Sequence, residues 1–145
     1  MVKRSAGDWG LHAAAAGAIV FGILTIIAGG RALFGGLEAR AEVGNAVPFV
    51  LWFNFGAGFF YVLSGAGLFA RRKWAAWLAG LIVLATLGVF GAFGFHILQG
   101  GAYEMRTVGA MIIRAVVWTI IAAVAWRTIL AVNSGTQPWH RQARP

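Results

Sequence analysis

The sequence predicts an all-α fold: an integral membrane bundle of four helices, with both chain ends on the cytoplasmic side. Three observations carry this prediction. First, 60% of the 145 residues are hydrophobic and only 11% are charged, whereas soluble domains run near 45–50% apolar and about 25% charged. Second, the charged residues divide the chain into four apolar stretches, each close to the ~20 residues that cross a bilayer as a helix. Third, the basic residues gather on one side of the resulting topology. The runs are too long for barrel strands and lack their alternation.

The first span is expected at Leu11–Leu33. Met1-Val2-Lys3-Arg4 ahead of it has the look of a secretory leader. The run Leu11–Ala28 outlasts the ~7–15-residue apolar core of such leaders, so it is read as a span. A loop, Glu38 to Ala46, should lead to the second span at Val47–Ala70, with Pro48 in its first turn, a normal helix start. Only Arg71-Arg72-Lys73 separates this from the third span, Trp74–Leu98, which forces an antiparallel hairpin. A loop at Gln99–Thr107 precedes the fourth span, Val108–Val132, which carries Arg114 inside it. Residues 1–132 therefore form one transmembrane domain, and Asn133–Pro145 a polar, basic cytoplasmic tail.

Lys3, Arg4, Arg71, Arg72, Lys73, Arg127, Arg141 and Arg144 fall on one side, against Arg31, Arg40 and Arg106 on the other. By the positive-inside rule the first set is cytoplasmic. The net charge of +8 thus reads as membrane orientation and contact with anionic lipid, and nucleic acid is not an expected partner. Glu38, Glu42 and Glu104 all lie on the outer side, and Trp52, Trp74, Trp77, Trp118 and Trp126 are candidate interfacial anchors. With no cysteine, disulfides, redox thiols and thiolate metal sites are excluded.

A shift of 65 residues places Gly29 on Gly94, Leu33 on Leu98, Gly35-Gly36 on Gly100-Gly101 and Val43-Gly44 on Val108-Gly109. Duplication of a helical hairpin would explain the recurrence, as would glycine recurring at membrane helix ends. Lipid supplies no hydrophobic drive between helices, so small residues must let backbones approach. The expected stripes are Gly10, Ala14, Ala18 and Gly22 in the first span, Gly88, Ala92 and His96 in the third, and Ala115, Thr119 and Ala123 in the fourth. The third would turn His96 toward the bundle core or another subunit.

Ionisable residues within a span are costly and mark candidate sites. Arg114, His96 and Asn54 should sit at similar depth in the outer third, below Glu104 and Arg106, with Glu42 nearby. One reading is an ion pair of Arg114 with Glu104 or Glu42 that pins the outer helix ends; another is snorkelling of Arg114 to the headgroups. A third is a ligand site, in which Arg, His and Asn hold an anionic or quinone-like head group. Copper would need the set His96, Met105, Met111 and Glu104. One histidine within the bundle is too few for bis-histidine haem, since His12 and His140 belong to the opposite face. The expectation is therefore no metal and no cofactor, with quinone and copper the alternatives. No Ser–His–acid set converges, because Ser64 lies near the cytoplasmic end, far from His96, and no phosphate loop is present. The chain is expected not to be an enzyme.

The span count, the basic hairpin Arg71-Arg72-Lys73 and the glycine-rich outer helix ends together resemble small four-helix bacterial inner-membrane proteins of the DoxX-like group. The stretches Val47–Asn54 and Gly100–Val108 are similar to segments of uncharacterised bacterial proteins. That resemblance implies a multi-pass bacterial inner-membrane location but brings no activity and no site residues. Three functions are compatible with the sequence: a non-catalytic accessory or structural subunit of a larger membrane complex, an oligomeric small-molecule or ion transporter, and a lipid- or quinone-binding protein. The partners expected are membrane lipids and either further copies of the chain or other membrane subunits.

Overall fold

The computed structural model describes residues 6–130. Lys3, Arg4, His140, Arg141, Arg144 and the tail Asn133–Pro145 lie outside the described residues. The order is α1 (Ala6–Phe34), α2 (Gly36–Val43), α3 (Pro48–Phe69), α4 (Lys73–Leu98) and α5 (Met105–Ala125), the last continued by a π-helical turn, Trp126–Leu130. Four segments, Asp8–Phe34, Pro48–Phe69, Lys73–Leu98 and Met105–Leu130, are long and apolar enough to cross a membrane. Only 22–33% of each apolar window is buried within the chain, so most of that surface faces outward. Leu24, Phe60, Leu63, Leu84 and Ile113 are among the exposed large side chains.

The long helices run up, down, up, down, with α1 against α3, α3 against α4, α4 against α5 and α5 back against α1. Polar contacts fix which ends meet. At one end Asp8 pairs with Arg71, and Trp126 Nε1 donates to the Ala76 carbonyl at 2.9 Å. Both described chain ends therefore lie beside the basic hairpin. That hairpin is a Schellman turn: Arg72 N–H bonds Gly67 O at 2.9 Å and Arg71 N–H bonds Leu68 O at 3.0 Å. Arg71 takes the left-handed position that glycine usually fills, at φ 52°.

The expected loop at Glu38–Ala46 is mostly helix. Leu37, Glu38, Ala39, Arg40, Ala41 and Glu42 are strong helix formers, and a break at Gly35 lets them form a separate short α2. The fourth helix also begins earlier than expected, at Met105 instead of Val108.

The seam between α1 and α3 is the tightest in the molecule. On α1 the buried positions Leu11, Ala15, Ala18, Gly22, Thr25 and Gly29 repeat at alternating steps of four and three. On α3 the facing positions are Gly58, Tyr61, Gly65 and Leu68. This is the period of a left-handed helix pair, and it replaces the strict four-residue stripe expected from Gly10, Ala14, Ala18 and Gly22. A Cβ on Gly22 would lie 2.8 Å from Gly58 O, and one on Gly65 would lie 2.8 Å from Ala15 O.

The other two stripes are corrected. Gly88 and Ala92 are exposed, and a Cβ on Gly88 would meet nothing within 4 Å. The buried face of α4 is instead Ala75, Ala76, Ala79, Ile82, Thr86 and Phe93. On α5, Met111, Arg114, Trp118, Ile121 and Ala125 turn inward, which leaves Thr119 and Ala123 outside, lining a groove with Trp77 and Trp126. Trp118 is no interfacial anchor: it is fully buried and lies against Tyr61, ring centroids 4.5 Å apart. Trp52, Trp74, Trp77 and Trp126 are exposed. At one matched pair of the 65-residue recurrence the local geometry differs. Gly44 caps α2 with φ +60°, while its counterpart Gly109 lies inside α5.

Candidate functional site

The residues expected to form one polar cluster divide into two groups. The first is a clasp at the end remote from the basic hairpin. Glu104, in extended conformation before α5, accepts a hydrogen bond from the Asn45 backbone N–H at 2.9 Å. Its carboxylate lies where a Cβ on Gly44 would be, 2.5 Å from Oε1, so glycine is needed there for space as well as for its positive φ. Arg106 Nη2 donates to the Glu42 carbonyl at 2.5 Å. These two contacts fasten the α2–α3 connection to the start of α5. Glu42 also faces Arg31 at 3.9 Å, an exposed pair of little energetic weight.

His96 belongs to this end but serves its own loop. Gly100 N–H and Gly101 N–H close α4 on Ile97 O and His96 O at 2.9 and 3.0 Å. The His96 ring reaches back across that turn, its Nε2 3.2 Å from the Ala102 carbonyl, and rests edge-on to Phe49. Its role here is to shape the Gln99–Glu104 connection.

The second group is internal. Arg114 is 7% exposed, and neither Glu104 nor Glu42 pairs with it. The only ion pairs among the described residues are Asp8–Arg71 and Arg31–Glu42. The expected Arg114 ion pair is therefore not formed. The physical reason is distance along the helix: because α5 starts at Met105, Arg114 is nine residues in, about 14 Å from that end at ~1.5 Å per residue. The glutamates are held at the helix ends by their own contacts.

The guanidinium finds soft neighbours instead. Nη1 points at the Met111 sulfur, 3.7 Å away, a weak acceptor. The Phe21 ring lies under it, 5.8 Å from carbon to centroid, a cation–π distance. The Tyr61 hydroxyl lies beside Arg114 and Thr86, while Arg114 Nε, Asn54 Oδ1 and Trp118 Nε1 have no hydrogen-bond partner among the described residues. Arg114 and Asn54 share a cleft of about 260 Å³ with Thr25, Leu24, Ala28, Gly29 and Leu51. The structure thus brings together two of the expected residues, Arg114 and Asn54, and separates His96, Glu42, Glu104 and Arg106 from them.

Sequence reasoning missed Thr25, Tyr61, Thr86 and Trp118. Two of them carried a signal. Tyr61 follows Asn54 by seven residues and Trp118 follows Arg114 by four, each on the same helix face as the polar residue already suspected. Ser64, considered for catalysis, is buried and bonds the Ala75 carbonyl at 3.3 Å, tying α3 to α4. No cluster of three or more His, Asp or Glu side chains able to hold a metal occurs among the described residues.

Compared with protein-family models, curated proteins and solved structures, the chain has no match in any of the three.

Proposed function

We propose that this chain is a non-catalytic subunit of a larger bacterial inner-membrane assembly, docking to its neighbour through the outward face of α4. The observation that carries this reading is a packing face with no partner among the described residues. Leu84, Gly88, Gly91, Phe95 and Leu98 are all exposed and are spaced at alternating steps of four and three, the period of the α1–α3 seam. A Cβ at Gly88, Gly91 or Gly94 would meet nothing within 4 Å. Each glycine in a helix interior costs about 1 kcal/mol against alanine. At Gly22, Gly58 and Gly65 that cost is offset by backbone approach. On α4 no described residue supplies that offset, and a helix from outside the chain would. In this reading the Arg71-Arg72-Lys73 end is cytoplasmic, by the positive-inside rule. The DoxX-like resemblance adds span count and location to this reading and nothing about chemistry.

The test is purification from native membranes in a mild detergent, followed by mass measurement of the intact particle. The reading expects a particle larger than one chain, reduced to monomer by Gly88→Leu combined with Gly91→Leu. A solitary monomer from native membranes contradicts it.

A further inference from the structure

Arg114 is a buried cation with no counter-charge among the described residues, and it opens onto a lipid-facing cleft away from the α4 face. Arg114 is more than nine-tenths buried, its Nε is unpartnered, and no carboxylate pairs with it among the described residues. An uncompensated guanidinium at this depth is strongly unfavourable. The Met111 sulfur and the Phe21 face soften that cost without neutralising the charge.

The neighbours describe what would neutralise it. The cleft walls carry one cation, the Thr25 hydroxyl and the Asn54 amide, with no acid, and are otherwise Leu24, Ala28, Gly29 and Leu51. The guanidinium and the Thr25 hydroxyl beside it suit an oxyanion, which accepts from both. A neutral quinone would leave the charge unanswered. The volume, about 260 Å³, exceeds by several times the ~30 Å³ share of one water, so there is room for a head group and the first carbons behind it. The mouth lies at Leu24 and Ala28, both exposed, on the α1 strip that also exposes Val20, Ile23 and Ile27. A ligand therefore enters from the hydrocarbon, tail outward.

We propose that the Arg114–Asn54–Thr25 cleft binds the oxyanion head, carboxylate or phosphate, of a membrane amphiphile that enters sideways between the helices. The test uses the full chain, stripped of lipid in an uncharged detergent, with thermal unfolding followed by tryptophan fluorescence. Oleate is the probe, oleyl alcohol its uncharged match, and acetate the same oxyanion without a tail. Oleate should raise the unfolding midpoint saturably, and neither oleyl alcohol nor acetate should do so. Arg114→Gln should weaken oleate by on the order of tenfold to a hundredfold, the worth of hydrogen bonds to a charged group. Ala28→Leu narrows the mouth while keeping Arg114; it should match the unmodified chain's ligand-free midpoint and lose the oleate response. This second variant decides the matter if Arg114→Gln fails to fold. Equal shifts with oleate and oleyl alcohol, a response to acetate alone, or an oleate response that survives Ala28→Leu would each overturn the proposal.

Discussion

Gly22→Ala tests the α1–α3 seam with a single methyl group. The added Cβ would lie 2.8 Å from Gly58 O, 2.8 Å from Val62 Cγ2 and 2.9 Å from Val62 N. Ordinary contact between heavy atoms begins near 3.5 Å, so the helices must separate by roughly 0.7 Å at this level. Two of the three atoms are backbone and cannot rotate away. Overpacking a tight core costs about 1–3 kcal/mol, and a seam that opens along its length belongs at the upper end. The gain in helix propensity from glycine to alanine returns about 1 kcal/mol. The net loss is about 2 kcal/mol, roughly thirtyfold in the unfolding equilibrium. Gly88→Ala is the matched control, because its Cβ meets nothing within 4 Å; in the monomer it should be neutral or gain up to about 1 kcal/mol. Reversible unfolding in mixed micelles, with tryptophan fluorescence as the signal, measures both. If Gly22→Ala equals or exceeds the unmodified chain in stability, or if Gly88→Ala loses as much, the assignment of the seam is wrong.

Three further outcomes follow from the interior and the clasp. Trp118→Ala empties the largest fully buried side chain and should cost about 3–5 kcal/mol in the same assay. Tyr61→Phe removes a buried hydroxyl that lies beside Arg114 and Thr86; it should cost about 0.5–1.5 kcal/mol in the same assay, and unchanged or raised stability would show that the hydroxyl makes no hydrogen bond. Glu104→Ala removes the acceptor of the Asn45 N–H; hydrogen exchange at that amide should speed up, with a stability loss of about 0.5–1.5 kcal/mol.

The spans were legible because length and apolarity are properties of the chain alone. Charge placement gave the connections, and the described ends do lie beside the Arg71-Arg72-Lys73 hairpin. Helix faces were harder to read. Where every side of a helix is apolar, no hydrophobic periodicity marks the inward face. The stripes picked by small residues alone therefore fell outside on α4 and partly outside on α5. The alternating four–three repeat of Ala15, Ala18, Gly22 and Thr25 with Gly58, Tyr61 and Gly65 was present in the sequence but requires both helices to be read together. Of the site, Arg114 and Asn54 were identifiable because polar residues in apolar spans are conspicuous. Their separation from Glu42 and Glu104 was not, since it depends on α5 starting three residues early and on backbone groups claiming Glu104 and Arg106. Thr86 carried no signal at all: a lone threonine in a helix becomes part of a polar interior only through what packs against it.

A photo-crosslinking residue placed at Gly91 in native membranes tests whether the outward face of α4 meets another helix, as proposed. The same residue at Leu63, exposed on α3, is the control. Position 91 should give a discrete adduct, either a doubled chain or one defined partner, and position 63 none. No adduct at 91, or equal diffuse adducts from both positions, would contradict it.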